Sequence, residues 1–181
     1  AKIGGFHGRK LEKGDQLPLR APAAELRNMG QRSITPEFVP RGEYTLHVVM
    51  GPQDDAFTPE GVETFLSQTY TVTPEFDRMG CRLDGPVVQH KATGDIISDG
   101  ISFGAIQVPS AGKPIIMLSD RQTTGGYTKI ANVMTADFRI LAQLKAGDKI
   151  RFQKVSIQFA EDALLAQRAA LRALESTVGK N

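Results

Sequence analysis

The residues most able to do chemistry run from Leu118 to Ile130, where Asp120, Arg121, Gln122, Thr123, Thr124, Gly125, Gly126 and Tyr127 follow the apolar stretch Ile115-Ile116-Met117-Leu118. Hydroxyls, amides and a glycine pair at the end of a strand are suited to holding a small polar substrate by hydrogen bonds. The pair Gly125-Gly126 is expected to take positive φ and leave backbone N–H groups uncovered. Asp120 would orient a substrate N–H or accept its proton; alternatively it pairs with Arg121 or caps a turn. Arg78 and Arg82, four apart around Gly80, offer forked donors for a carboxylate. Gln107 precedes Val108 and so faces the other side of its strand, where a neutral amide could bind another amide.

Three familiar patterns fail on context. Gly100-Ile101-Ser102-Phe103-Gly104 has the form of a nucleophile elbow, but it is followed by strand-like Ala105-Ile106-Gln107-Val108, and the last histidine, His90, lies upstream. Gly112-Lys113 resembles the end of a phosphate-binding loop, yet Gln107 stands at the first glycine and Pro114 at the Ser/Thr. His7, His47 and His90 lack metal-ligand spacing, so no metal is expected.

Three blocks together carry a resemblance: Arg78-Met79-Gly80-Cys81-Arg82-Leu83-Asp84-Gly85, Ser98-Asp99-Gly100-Ile101-Ser102-Phe103-Gly104-Ala105-Ile106-Gln107-Val108-Pro109, and Asp120 to Ile130. In order and spacing they resemble the biotin-dependent carboxyltransferase family, also called the allophanate hydrolase subunit 2 family. It includes the C subunits of 5-oxoprolinases, the kinase-inhibitor antagonist KipA and the carboxyltransferase region of urea amidolyase. The likeness runs from about Gly4 to about Ala160. Cys81 departs from it, standing where an aromatic residue is expected. Full-length family members extend further on the N-terminal side and Ala1 is not an initiator Met, so the chain resembles a C-terminal portion.

The resemblance implies a mainly β fold, a cyclophilin-like barrel, and action on a small amide, urea or 5-oxoproline. Biotin would be carried by a partner protein, and ATP would enter at the level of the complex. The implied partner is a cognate protein of the KipI type or the B subunit of a 5-oxoprolinase. Asp120 and Arg78 are the expected catalytic residues; Arg82, Gln107, Gln122, Thr123, Thr124, Gly125, Gly126 and Tyr127 are the expected substrate contacts. Carboxyl transfer needs the carboxylate released away from water and the acceptor N–H held against it, which requires neither His nor a nucleophilic Cys. The alternative is a non-catalytic regulatory subunit that binds a kinase inhibitor. A prolyl isomerase follows from fold analogy alone and ranks last.

Strands must position these residues. Tyr44 to Met50 is β-branched, aromatic and apolar, and further strands are expected at 68–73, 86–90, 95–97, 103–108, 114–118 and 149–158. The turn Ser110-Ala111-Gly112-Lys113 makes 103–108 and 114–118 a hairpin. Thr58-Pro59 starts a short helix or turn. Val133, Met134, Phe138, Ile140, Leu141 and Leu144 fall at near-helical spacing, predicting one internal helix over 131–144. Glu161 to Glu175 reads as an amphipathic helix, packed on its own barrel or on a partner.

The phrase Leu144-Lys145-Ala146-Gly147-Asp148-Lys149-Ile150 echoes Leu11-Glu12-Lys13-Gly14-Asp15-Gln16-Leu17, as if one turn served two related halves. Prolines 18, 22, 36 and 40 mark a linker. The expected division is therefore 1–20, the end of a preceding half-domain; 21–41, linker; 42–160, barrel; and 161–181, helix and tail.

With 181 residues and 40% hydrophobic content, the chain can bury a real core. No apolar run reaches the roughly 20 residues of a membrane span. One cysteine allows no internal disulfide, which suits a reducing cytoplasm. Lys+Arg of 22 against Asp+Glu of 20 leaves +2 with the signs interspersed, unlike the basic face of a nucleic-acid binder. Neither nucleic acid nor membrane is an expected partner.

Overall fold

The structure is a computed structural model, and it describes residues 5–18 and 42–178. The two stretches belong to separate compact units. The proposed linker falls almost wholly outside the described residues.

In the first unit the chain turns at Gly14, whose φ of 100° is left-handed and explains the glycine. Asp15 Oδ2 accepts the backbone N–H of Glu12 at 2.8 Å, and Asp15 N–H returns to the Glu12 carbonyl at 3.1 Å. The second unit repeats this turn. Gly147 has φ 93°, Asp148 Oδ2 accepts from Lys145 N–H at 2.9 Å, and Asp148 N–H donates to the Lys145 carbonyl at 3.1 Å. The echo in the sequence is thus one turn built twice.

The second unit is a closed seven-stranded barrel. Its strands are β1 (Glu43–Met50), β2 (Tyr70–Phe76), β3 (Gly80–Asp84), β5 (Ala105–Val108), β6 (Ile115–Met117), β7 (Thr124–Val133) and β8 (Lys149–Lys154), while β4 (Asp95–Gly100) adds to β7 outside the ring. The order is β1-β8-β2-β3-β6-β5-β7, and β7 returns to β1 through Val48↔Val133 and its neighbours. Every pair is antiparallel except β1 with β8. Alternation fills the interior: Tyr44, Leu46 and Val48 of β1 are buried, as are Ile150 and Phe152 of β8. Helix α1 (Pro59–Ser67), capped by Thr58 Oγ1 on the Gly61 N–H, sends Phe65 onto Phe152 with ring centroids 4.4 Å apart.

The expected barrel and the β5–β6 hairpin are present, with Ile106 opposite Ile116. Other expectations need correction. Residues 131–133 belong to β7, and the predicted 131–144 helix shrinks to a 3-10 turn at Thr135–Asp137 and one α turn, α2 (Phe138–Leu141). The apolar spacing there imitates a helix, but β7 can pair with three strands, and those ladders decide the outcome. The 86–90 strand is absent apart from a single bridge between Phe57 and His90. The chain leaves β8 after Lys154, so 157–158 are helical; α3 (Ile157–Val178) begins four residues before the expected Glu161. Among the described residues no helix is long and apolar enough to cross a membrane.

Candidate functional site

The site is set by a bulge in β7. The ladder with β5 pairs Ala105 with Asn132 and Ile106 with Ala131, then jumps to Gln107 with Lys129 and Val108 with Thr128. Ile130 is the extra residue. In a regular strand Lys129 and Asn132, three apart, would face opposite sides; the bulge turns both to the side shared by Ala105 and Gln107. Ile106, paired with Ile116, lies on the opposite side.

Against this face lies a cavity of about 470 Å³ lined by Met50, Gly51, Pro52, Asp99, Gly100, Ile101, Ser102, Ala105, Thr123, Lys129, Ala131 and Asn132. The Lys129 side chain is 5% exposed, and its Nζ donates to Asp99 Oδ2 at 2.8 Å. Gly100 N–H donates to Asp99 Oδ1 at 2.7 Å, and Gln53 Nε2 donates to Asp99 Oδ2 at 3.3 Å. The Lys129 bond, then the Gly100 and Gln53 bonds, hold the Asp99 carboxyl below the usual carboxylate range. Beside them Ser102 Oγ donates to Asn132 Oδ1 at 2.6 Å, while Asn132 Nδ2 donates to the Val133 carbonyl at 3.1 Å. A buried cation with hydroxyl and amide groups around it can hold a carboxylate or a carbonyl oxygen.

Gln107 adjoins this arrangement across the ladder. It is 2% exposed, and its Nε2 has no hydrogen-bond partner. A buried amide donor left unpaired costs on the order of 1–3 kcal/mol, so it calls for an explanation such as a ligand. A Cβ added at Gly125 would lie 2.6 Å from Ile101 Cδ1, 3.1 Å from Gln107 Nε2 and 3.5 Å from Gln122 Nε2. Three of the expected substrate contacts, Gln107, Gln122 and Gly125, therefore meet. The reason for the glycines is corrected, however. Both sit in β7, neither has a left-handed φ, and close approach replaces backbone freedom as the cause. At Gly126 the added Cβ would meet the Ile96 carbonyl oxygen at 3.1 Å.

The remaining expected residues lie around this centre or apart from it. Thr123 lines the cavity, and its carbonyl accepts the Ile101 N–H at 3.0 Å. Thr124 pairs with Gly100 and Tyr127 with Asp95, both in the β4–β7 ribbon. Arg78 and Asp120 bind each other: Nε to Oδ2 at 2.6 Å and Nη2 to Oδ1 at 2.9 Å, with Asp120 N–H on the Arg78 carbonyl at 2.8 Å. That guanidinium keeps the Asp120 carboxyl below its ordinary range. The pair is exposed and clips the β2–β3 turn to the β6–β7 turn. Arg82 pairs with Glu75 at 3.1 Å on the surface. The other expected partner of Asp120, Arg121, donates instead to the carbonyls of Ile101 and Leu118.

Sequence reasoning missed Asp99, Lys129, Asn132 and Ser102 as a group. Asp99 and Ser102 lie inside the second block of the resemblance, where no role fell to them. Lys129 carried a usable signal, being the one charge in the strand residues Thr124–Val133. Among the described residues no cluster of His, Cys, Asp and Glu could hold a metal ion.

Residues 1–154 match the family model for the carboxyltransferase domain, subdomain A and B. The chain is 38% identical over 158 residues to the C subunit of 5-oxoprolinase from Haemophilus influenzae, covering 87% of this chain and 49% of that protein. It is 31% identical over 174 residues to the C subunit of 5-oxoprolinase from Escherichia coli, covering 96% and 53%. It thus spans about half the length of these relatives. The crystal structure of Kluyveromyces lactis urea carboxylase superimposes with a TM-score of 0.65 at 26% identity, over 70% of this chain and 12% of that one.

Proposed function

This chain belongs to the family of carboxyltransferase domains, subdomains A and B, and we propose that it forms part of a subunit in a carboxyltransferase or 5-oxoprolinase-type complex acting on a small amide. The observation that carries this reading is the buried ammonium of Lys129, held on Asp99 in a cavity that Ser102 and Asn132 also line, with Gln107, whose amide is unpaired, opposite Lys129 in the strand register.

In this reading Lys129 Nζ and Gln107 Nε2 donate to a carboxylate or carbonyl oxygen, where negative charge develops during transfer. Asp99, half-exposed and already ionised, presents the remaining lone pair of Oδ1 to a substrate N–H while Oδ2 fixes the ammonium. Ser102 and Asn132 orient each other and line the wall, and Gln122 closes the side next to Gly125. Arg78 and Asp120 hold two turns together rather than lining the cavity, and Arg82 lies outside the centre. The lining suits a carboxylated ureido group, because it offers a buried cation and amide donors. Biotin, brought by a partner, would supply the transferable carboxyl group; ATP, where the complex consumes it, would be bound by another part.

The reading predicts no turnover by the 181-residue chain alone, because it spans about half of its relatives. The test is the complex assembled with the B subunit of a 5-oxoprolinase, or with a biotin carrier, assayed on 5-oxoproline and on urea. Lys129→Met should lower turnover at least ~100-fold with assembly intact. Unchanged turnover in that variant would overturn the assignment. If neither amide is consumed and a kinase inhibitor binds instead, the regulatory reading replaces it.

A further inference from the structure

Helix α3 is longer than the surface it covers. Along its first half, Ala160, Ala163, Leu164 and Gln167 are half-buried. Gln167 Nε2 donates to the Ala136 carbonyl at 3.2 Å, and the Phe159 ring centroid lies 5.9 Å from that of His47. The same stripe continues for two more turns as Leu171 and Leu174, which are 60% and 37% exposed, and residues 168–175 are all exposed. The helix begins at Ile157, beyond residue 154 where the family match ends. The overhang lies past the barrel strands, and among the described residues its apolar stripe is uncovered.

We propose that this overhang pairs antiparallel with the α3 helix of a second copy of the chain. Gln167, Leu171 and Leu174 follow the alternating four-and-three spacing of a coiled-coil seam. In the antiparallel register that sets Leu171 of one copy on Leu174 of the other, a two-fold axis repeats the contact. Arg168 and Glu175 then occupy equivalent flanking positions, just after Gln167 and just after Leu174. Antiparallel pairing brings these flanking positions together, so Arg168 of each copy meets Glu175 of the other. A parallel pair would not, since like residues would lie level. The register also fits the space available: the barrel occupies the stripe up to Gln167, and the other copy's helix occupies the remainder. No step of the proposed chemistry depends on this contact.

The seam is only about three turns long, short for a stable interface, so the dimer is expected to be weak and to form only as the chain is concentrated from the micromolar to the millimolar range. Sedimentation equilibrium of the chain across that range, with far-UV circular dichroism as the control for helix content, tests it. The expected result is a concentration-dependent dimer. Leu171→Lys combined with Leu174→Lys should raise Kd at least ~10-fold. Arg168→Glu and Glu175→Arg should each weaken the dimer ~3-fold or more by opposing like charges, and the two together should restore it. A chain that stays monomeric at every concentration overturns the proposal. So does a dimer indifferent to the leucines, or a double charge swap that fails to restore pairing. If the leucine variant instead loses binding to a cognate subunit, the surface belongs to that subunit and the proposal fails.

Discussion

Asp99 and Lys129 form an ion pair whose two ends sit in different media: the carboxylate side chain is 53% exposed and the ammonium side chain 5%, with 2.8 Å between them. The exposed partner is solvated with or without its mate. The buried partner is not, so the pair should respond unequally to the loss of each member.

Asp99→Asn leaves the Lys129 ammonium buried beside a neutral amide, and that stranded cation is expected to lower stability by roughly 1–3 kcal/mol. Lys129→Met removes the buried charge, frees Asp99 to water, and should cost less than about 1 kcal/mol. Urea denaturation midpoints of the two variants measure the difference. Equal losses would show that the ammonium is not the strained member.

Gln107→Leu separates binding from folding. The substitution removes the unpaired buried Nε2 and keeps a side chain of similar bulk, so stability should hold or rise by about 1 kcal/mol. Turnover in the assembled complex should nevertheless fall at least ~10-fold, with the loss appearing in kcat/KM. Full activity together with raised stability would make Gln107 a packing residue only.

At Gly125 the limiting contact is Ile101 Cδ1, so Gly125→Ala should cost about 1–3 kcal/mol by overpacking. Ile101→Val made in the same chain should recover part of that loss. At Gly147 the cause is its φ of 93°, and the added Cβ would meet nothing within 4 Å. Gly147→Ala should therefore lose about 1–2 kcal/mol that no neighbouring truncation restores. Thermal unfolding of the single and double variants tells contact from backbone strain.

His90 carries a pH dependence. Burial lowers its pKa from the ordinary 6.5, more than the Val108 carbonyl and Asp95 raise it. Its Nε2 lies 3.0 Å from that carbonyl and 3.1 Å from Thr128 Oγ1. With the folded value below the unfolded one, the unfolded chain binds more protons as pH falls through 6.5, and stability drops in that window. Above 6.5 the contribution is complete. Urea midpoints between about pH 5 and 8 should show this slope in the parent chain and a shallower one in His90→Gln. Parallel slopes would remove His90 as the source.

Much of the barrel was legible because its signals are local. Tyr44 to Met50 alternates, Gly112 makes the β5–β6 turn, and the Gly-Asp phrase reports a turn that recurs in atomic detail. What escaped depends on partners distant in sequence. Residues 131–133 carry a helical spacing that only the ladders to β1 and β5 override. Gln107, Gln122 and Gly125 were expected as substrate contacts from the resemblance, and in the structure they lie together around Gly125. The Lys129–Asn132 face was not legible, because it depends on one bulged residue, Ile130, whose position is set by register. Arg78 and Asp120 were chosen for their charge, and in the structure that charge is spent on each other.

The parallel pairing of β1 with β8 has a consequence for the order of synthesis. Glu43 lies beside Lys149 and Val48 beside Lys154, so the ring is sealed by the first and last of its strands. A nascent chain emerging from the ribosome holds β1 ready while its neighbour is still unmade, and that edge is open to wrong pairing. Closure waits for Lys154 to clear the exit tunnel, and a loop of this length makes the step slow. Chains stalled before Lys149 should therefore be sensitive to protease and retained by chaperones, and protection should arrive in one late step once β8 is free.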